Sequence, residues 1–309
     1  MQVLRPRETM VPTLNEGRVV KALDVAQKLA EGGRVHELTG MERGQSANRV
    51  YRIWRGESTQ VAKIYGTPAR ERRETHALEA LAALPGTPKL IERGMEGEDL
   101  HWAIFEDAGR WNLGTLPENP GLARKAGDIL RSVHQTSSEQ ITNLSRGMDQ
   151  EWVAVDFLST LRRLERYRGR LKIETNVLSD ARDVRPPFAS DPRSAHTNPA
   201  PDNFVVDDDG NVTLINWEWA TVAPVEWDLS KAVWLLGLHA GPTAATAFQE
   251  GYGRSLDQYQ LDRWVVYHTA MTLVFRVERS MDAALGPYEV YLSEFRRAVA
   301  ASTLNAGTA

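Results

Sequence analysis

No cysteine occurs in the 309 residues, which excludes disulfides, thiolate metal sites and cysteine nucleophiles together. A reducing compartment suits such a chain. No apolar run reaches the roughly 18–20 residues that a membrane helix needs. The opening MQVLRPRETMVPTLNEG lacks the apolar centre of a signal peptide. The expectation is a cytoplasmic protein with no membrane partner. Excess charge of one sign is also missing: 37 Lys and Arg stand against 41 Asp and Glu, for a net −4, which argues against a general nucleic-acid binder. Internal repeats and low-complexity tracts are absent as well. What is present, 42% hydrophobic and 25% charged residues, suits a soluble globular chain of one large domain or two packed lobes. Several of the nine Trp fall between 217 and 264, where burial in a helical core accounts for them.

Along the chain the periodicity changes three times. EGRVVKALDVAQKLAEGG sets Val20, Leu23, Ala26 and Leu29 at helical spacing and stops at Gly32-Gly33. From 36 to 64 the pattern alternates, in HELTG, NRVYRIWRG and STQVAKIYG, with a turn at Gly56-Glu57-Ser58. TPARERRETHALEALAALPG reads as a helix, with Thr67 as N-cap candidate, Pro68 in the first turn and Leu78, Leu81, Ala82 and Leu84 on its apolar face. TPKLIERG and LHWAIFEDAG give two further strands. The predicted organisation is an N-terminal tail and helix (1–35), a small antiparallel-sheet lobe with one inserted helix (36–108), and a larger mostly helical lobe (109–309). In the last, GLARKAGDILRSVHQTS and EWVAVDFLSTLRRLERYRGRL are helices and 174–194 reads as loop. Residues 228–302 are mostly helical, broken at 237–242 and 251–253.

Transfer of a phosphoryl group from a nucleotide needs a cation on the phosphates, carboxylates for the metal, a residue that orients the acceptor hydroxyl, and a cover over the triphosphate. GQSAN (44–48), with Ser46, sits in a strand turn and offers backbone N–H groups, as a plain turn also does. Lys63 lies mid-strand in QVAKIY, where a Lys usually faces solvent unless an acid such as Glu74, eleven residues on, holds it. His196, with His101 and His134 elsewhere, matches no zinc spacing, so a structural role bonding backbone is expected.

Together VAKIY, RRETHALEALAAL, AIFEDAG, LRSVHQ and above all HTNPAPDNFVVDDDGNVTLINWEWATVAPVEWDLS resemble the aminoglycoside phosphotransferase and choline kinase superfamily, over roughly residues 36–300. The resemblance implies an α+β, bilobal, protein-kinase-like fold that uses ATP and Mg²⁺ to phosphorylate a hydroxyl. It implies that Lys63 contacts the α and β phosphates and pairs with Glu74, and that backbone from Glu106 to Ala108 takes the adenine edge. Asn203 falls on the metal-binding Asn, and Glu218 on the acidic residue near the metal. Asp228 matches the Asp that opens the following helix, in a structural role.

Three positions depart from the family pattern. Thr197 stands where Gly is usual, Asn198 where an Asp orients and deprotonates the acceptor, and Asn216 where an Asp is the main metal ligand. An amide is nearly isosteric with a carboxylate but cannot act as a base, and it is a weak ligand for Mg²⁺. Metal binding is therefore in doubt, although Glu218 and Asp202 remain. One expectation is a pseudokinase that binds nucleotide, a small-molecule or peptide substrate, or a partner enzyme. The alternative is an active ATP-dependent phosphotransferase, including an Asp-bearing enzyme in which the two Asn were installed. The basic helix 161–171 reads as a solvated face, or as a surface for an acidic substrate or partner.

Overall fold

The computed structural model describes residues 16–38, 48–137, 141, 147–279 and 288–304. The chain is of the α+β class and forms two compact units, residues 1–79 with 88–107, and residues 80–87 with 108–309.

The first unit holds α1 (Glu16–Leu29), β1 (Val35–Glu37), β2 (Arg49–Arg55), β3 (Ser58–Ile64), α2 (Pro68–Ala80), β4 (Leu90–Glu96) and β5 (Leu100–Glu106). The strands form one antiparallel sheet in the order β1-β2-β3-β5-β4. Its central hairpin turns at Gly56, whose φ of +61° is the left-handed conformation that Gly adopts without strain. Tyr51, Ile53, Ala62, Ile64 and Ile104 cover one face with a core completed by α1. That helix buries Ala22, Val25 and Ala26, with Ala30 just after it, and leaves Leu23 at 41% exposure. Of the expected face, Ala26 is buried and Leu29 packs partly buried against this core, whereas Leu23 points outward and Ala22 and Val25 are buried instead. The helix predicted over 67–86 ends at Ala80, and Ala82 is exposed rather than part of an apolar face. GQSA (44–47), with Ser46, lies outside the described residues.

The second unit contains β6 (Trp111–Asn112), α3 (Pro120–Gln135), α4 (Gln150–Arg166), α5 (Arg168–Leu171), α6 (Thr175–Asp183), β7 (Pro192–Ala195), β8 (Phe204–Val206), β9 (Val212–Leu214), β10 (Thr221–Pro224), α7 (Val225–His239), α8 (Pro242–Tyr252), α9 (Gln258–Arg279) and α10 (Glu289–Leu304). Residues 175–183, expected as loop, are helical. This short polar helix is held by Leu178 and Ala181, which join the core of α4, α7, α9 and α10. That core is aromatic: Trp227 meets Trp264 at 5.9 Å and Tyr267 at 5.3 Å between ring centroids, as the Trp-rich stretch led one to expect. Arginines of the basic stretch 161–171 find partners outside it. Arg163 pairs with Glu278 at 2.5 Å, and Arg168 donates to Thr175 Oγ1 at 2.6 Å. Among the described residues no helix is long and apolar enough to cross a membrane.

Two glycines set the seam between α3 and α8. A Cβ on Gly127 would lie 2.0 Å from the Phe248 carbonyl oxygen, and one on Gly251 would lie 2.0 Å from that of Arg124. The backbones can approach this closely only because neither position carries a side chain.

Candidate functional site

In the first unit, β3 carries Lys63 opposite Val50 of β2 and Ala103 of β5. The side chain does not reach solvent: it is 5% exposed, and its Nζ lies 2.7 Å from Oε2 of Glu74, itself 3% exposed. The same Glu74 oxygen accepts the Tyr65 hydroxyl at 2.8 Å. Two turns into α2, Glu74 thus fixes a cation that the strand alone would leave unpartnered in an apolar setting. At the end of β5 the Glu106 N–H donates to Lys89 O at 3.0 Å. Asp107 is gripped by Arg52, Nε to Oδ2 at 2.5 Å and Nη2 to Oδ1 at 2.9 Å, a bidentate pair that fixes the end of the strand. The Ala108 N–H, which belongs to the second unit, has no hydrogen-bond partner among the described residues.

In the second unit the polar loop after β7 is organised by Asp228, fully buried in the first turn of α7. Its Oδ2 accepts the His196 N–H at 2.7 Å and lies 3.2 Å from His134 Nε2, while Oδ1 accepts the Thr197 N–H at 2.7 Å. Thr197 sits at φ +64°, a left-handed conformation that a β-branched residue rarely adopts. All its polar groups are engaged. Besides the N–H, its Oγ1 donates to Trp219 O at 2.9 Å and its carbonyl accepts Trp227 Nε1 at 3.1 Å. This network holds a conformation in which the Gly usual at this position would be unstrained.

His196 completes the loop with a single tautomer. Its Nε2 lies 2.9 Å from Ile215 O, which can only accept, and its Nδ1 lies 3.2 Å from the Asn198 N–H, which can only donate. Protonation on Nε2 satisfies both. His196 is structural, bonding backbone and packing edge-on against Trp217 at 4.7 Å. It ties the loop to the residue preceding Asn216, and Asn203 ties it again: its Nδ2 donates to Asn198 O at 2.8 Å, and its carbonyl accepts the Ile215 N–H at 2.8 Å. Asn198, Asn203 and Asn216 are thus linked through one hydrogen-bonded loop. The Asn198 side-chain amide and Asn203 Oδ1 have no partner among the described residues. Asn216 lies at φ +73°, a conformation that Asn tolerates better than most residues. Glu218 follows, 5% exposed. The hairpin between β8 and β9 is closed by Asp207, whose Oδ1 accepts the N–H groups of Asp209 at 3.0 Å and Asn211 at 2.8 Å.

Sequence reading passed over Lys231, one helical turn beyond Asp228. Its half-buried ammonium reaches the Thr197 carbonyl at 3.5 Å. Burial pushes its pKa down to about 8, against the opposing pull of Asp228 and Asp202. Beyond it, burial and then the Lys231 charge hold His268 well below the ordinary imidazole range, with its Nε2 2.9 Å from Ser230 Oγ. A lone Lys in the apolar run DLSKAVWLLG was the available signal.

The metal implied by the family resemblance finds a poor donor set here. Asn203, Asn216 and Glu218 offer two neutral amides and one carboxylate, whereas Mg²⁺ favours anionic oxygen. No group of three or more His, Cys, Asp or Glu with metal-holding geometry exists among the described residues. The residues present do not fit a tightly held Mg²⁺.

A sequence profile described as "Phosphotransferase enzyme family" matches residues 37–263, most of the chain and every site element above. The chain belongs to this family. No curated protein matches it. Among solved structures, the phosphotransferase fold found here is similar to spectinomycin phosphotransferase APH(9)-Ia in complex with ADP and spectinomycin, at 12% identity and a TM-score of 0.67, covering 90% of this chain and 97% of that one. It is similar as well to choline kinase LicA from Streptococcus pneumoniae, at 17% identity and TM-score 0.60, covering 93% and 99%. An aminoglycoside-3'-phosphotransferase of type VIII matches at 19% identity and TM-score 0.58, covering 79% and 96%. At these identities the likeness concerns fold.

Proposed function

We propose that this member of the phosphotransferase family is a pseudokinase: it binds nucleotide, with a small-molecule or peptide substrate or a partner protein, and transfers phosphate little. The observation that carries the reading is the pair Asn198 and Asn216 in a loop whose other bonds are all in place. An amide at 198 leaves no base for an acceptor hydroxyl, and one at 216 removes most of the charge that would hold a metal. Nucleotide binding is supported by the buried Lys63–Glu74 pair, by the open N–H of Ala108, and by ADP in the spectinomycin phosphotransferase structure. Lys63 would take the phosphates, and backbone from Glu106 to Ala108 the adenine edge. A cytoplasmic setting belongs to the same reading and rests on composition.

The test is calorimetric titration of ADP and ATP with and without Mg²⁺, on this chain and on its N198D/N216D variant. Nucleotide binding with little dependence on Mg²⁺ is expected for the chain itself, and Mg²⁺-dependent binding with ATPase or transferase activity for the variant. Hydroxyl phosphorylation by the unaltered chain at ordinary kinase rates, about 1–100 s⁻¹, would instead establish the active phosphotransferase reading.

A further inference from the structure

A cavity of about 430 Å³ in the second unit is lined by Arg131, His134 and Gln135 of α3, Arg193 of β7, Val225 of α7 and Tyr252 of α8. Its volume suits a small metabolite. The lining supplies two guanidiniums, an amide and a phenol, and no carboxylate. Arg193 is exposed and has no charged partner among the described residues. Among the described residues Arg131 pairs only with Asp128, three residues earlier on the solvent side of its own helix, a contact weak enough for a better anion to displace. Of the buried acids nearby, Glu226 is already occupied by Arg254 at 2.7 Å and by the N–H and hydroxyl of Ser190, and Asp228 by the N–H groups of His196 and Thr197.

The floor of this cavity is wired to the polar loop. Tyr252 Oη lies 2.8 Å from His134 Nδ1, and His134 Nε2 lies 3.2 Å from the Asp228 carboxylate that holds His196 and Thr197. Burial pushes the Tyr252 phenol well up, so it stays a donor throughout the ordinary pH range. An occupant in contact with His134 would be one hydrogen-bonded link from Asp228, and one in contact with Tyr252 two.

We infer that this cavity is a binding site for the oxyanion of a small phosphorylated or carboxylated metabolite, gripped by the Arg131 and Arg193 guanidiniums and linked through His134 to the Asp228 loop. Paired guanidiniums match the planar oxygen pairs of phosphate and carboxylate groups. The inference is independent of nucleotide binding at Lys63.

Isothermal titration of the full chain with pyrophosphate and with citrate provides the test, the tighter of the two distinguishing phosphoryl from carboxylate ligands. R193Q is expected to weaken binding by about tenfold, and R131Q/R193Q to abolish it. Saturating ADP, which would occupy the Lys63 site, is expected to leave it unchanged. Both arginines are at the surface, so these variants keep the fold. Trp227 Nε1–H, which donates to Thr197 O, reports the link: its NMR resonance is expected to shift on anion addition in the unaltered chain and to stay fixed in R131Q/R193Q. The site is overturned if neither anion binds, or if binding survives R131Q/R193Q. Binding without movement of the Trp227 resonance overturns the link.

Discussion

Asp228 holds Thr197 by its backbone N–H at 2.7 Å, in a conformation that Thr disfavours. The same carboxylate takes the His196 N–H and contacts His134, so three donors converge on one buried anion. Replacing it with Ala orphans two buried N–H groups, for a loss of about 3–5 kcal/mol. Asp228→Asn keeps one acceptor oxygen but turns an NH₂ toward a donor, so it should lose nearly as much. Urea unfolding of both variants checks this. A loss below about 1 kcal/mol in Asp228→Ala would show that the loop does not depend on this carboxylate.

The Thr at 197 invites a finer test. Its left-handed backbone costs a residue with a Cβ about 1–2 kcal/mol, while its hydroxyl bond to Trp219 O returns about 1 kcal/mol. Thr197→Gly removes both and adds chain entropy to the unfolded state, so stability should change by no more than about 1 kcal/mol. Thr197→Val keeps the strain and loses the bond, and should cost about 1–3 kcal/mol. The order of the two unfolding midpoints decides the matter, with Val expected below Gly.

At the seam of α3 and α8, Gly127→Ala sets helix propensity against packing. Ala gains up to about 1 kcal/mol within an isolated helix. Here its Cβ would sit 2.0 Å from the Phe248 carbonyl oxygen and 2.8 Å from the Tyr252 nitrogen. Backbone cannot rotate aside as a side chain can. A net loss of about 1–3 kcal/mol is expected, readable as a lower thermal midpoint.

The buried pair Lys63–Glu74 should behave asymmetrically. Lys63→Met leaves the buried Glu74 carboxylate, which accepts the Tyr65 hydroxyl, without its cation, costing about 3–5 kcal/mol, whereas the K63M/E74L double variant recovers most of that loss by removing both charges. Chemical denaturation of the two proteins makes the comparison. Equal instability would mean that the pair stabilises the fold beyond the cost of isolating one partner.

How far the sequence discloses this site depends on whether local or tertiary forces place each residue. Lys63 and Glu74 are legible because a strand and the helix after it have fixed periods, and a Lys between Ala62 and Ile64 in an apolar strand calls for an acid. The spacing of His196, Asn203 and Asn216 follows from a two-strand hairpin whose turn Asp207 writes into the sequence. Thr197 and Lys231 were less legible, since the first shows its strain only through φ and the second lies in an apolar helix that looks like plain core. The exposure of Leu23 in α1 and the existence of α6 were misread for a related reason: packing partners distant in sequence decide which of Ala22 or Leu23 is buried and hold 175–183 as a helix.

Lys231 gives the molecule a pH signature of definite sign. Its pKa is about 8 in the folded protein against an unfolded value of roughly 10.4. Between those values the unfolded chain binds the proton that the folded chain has released. Stability therefore rises with pH across that window as far as this group is concerned. Below about pH 8 both states are protonated and the cost of burying the charge is fully present; above about 10.4 both are neutral and it is gone. Lys231→Met should accordingly stabilise the protein near pH 7, by up to about 3 kcal/mol. The advantage should shrink steadily between pH 8 and 10.4. The difference between the two proteins in urea unfolding, taken at intervals across that range, isolates Lys231 from the other groups that titrate there. A difference that stays flat with pH, or one that favours the unaltered chain at pH 7, would show that an interaction with Thr197, Asp202 or Asp228 compensates the buried charge.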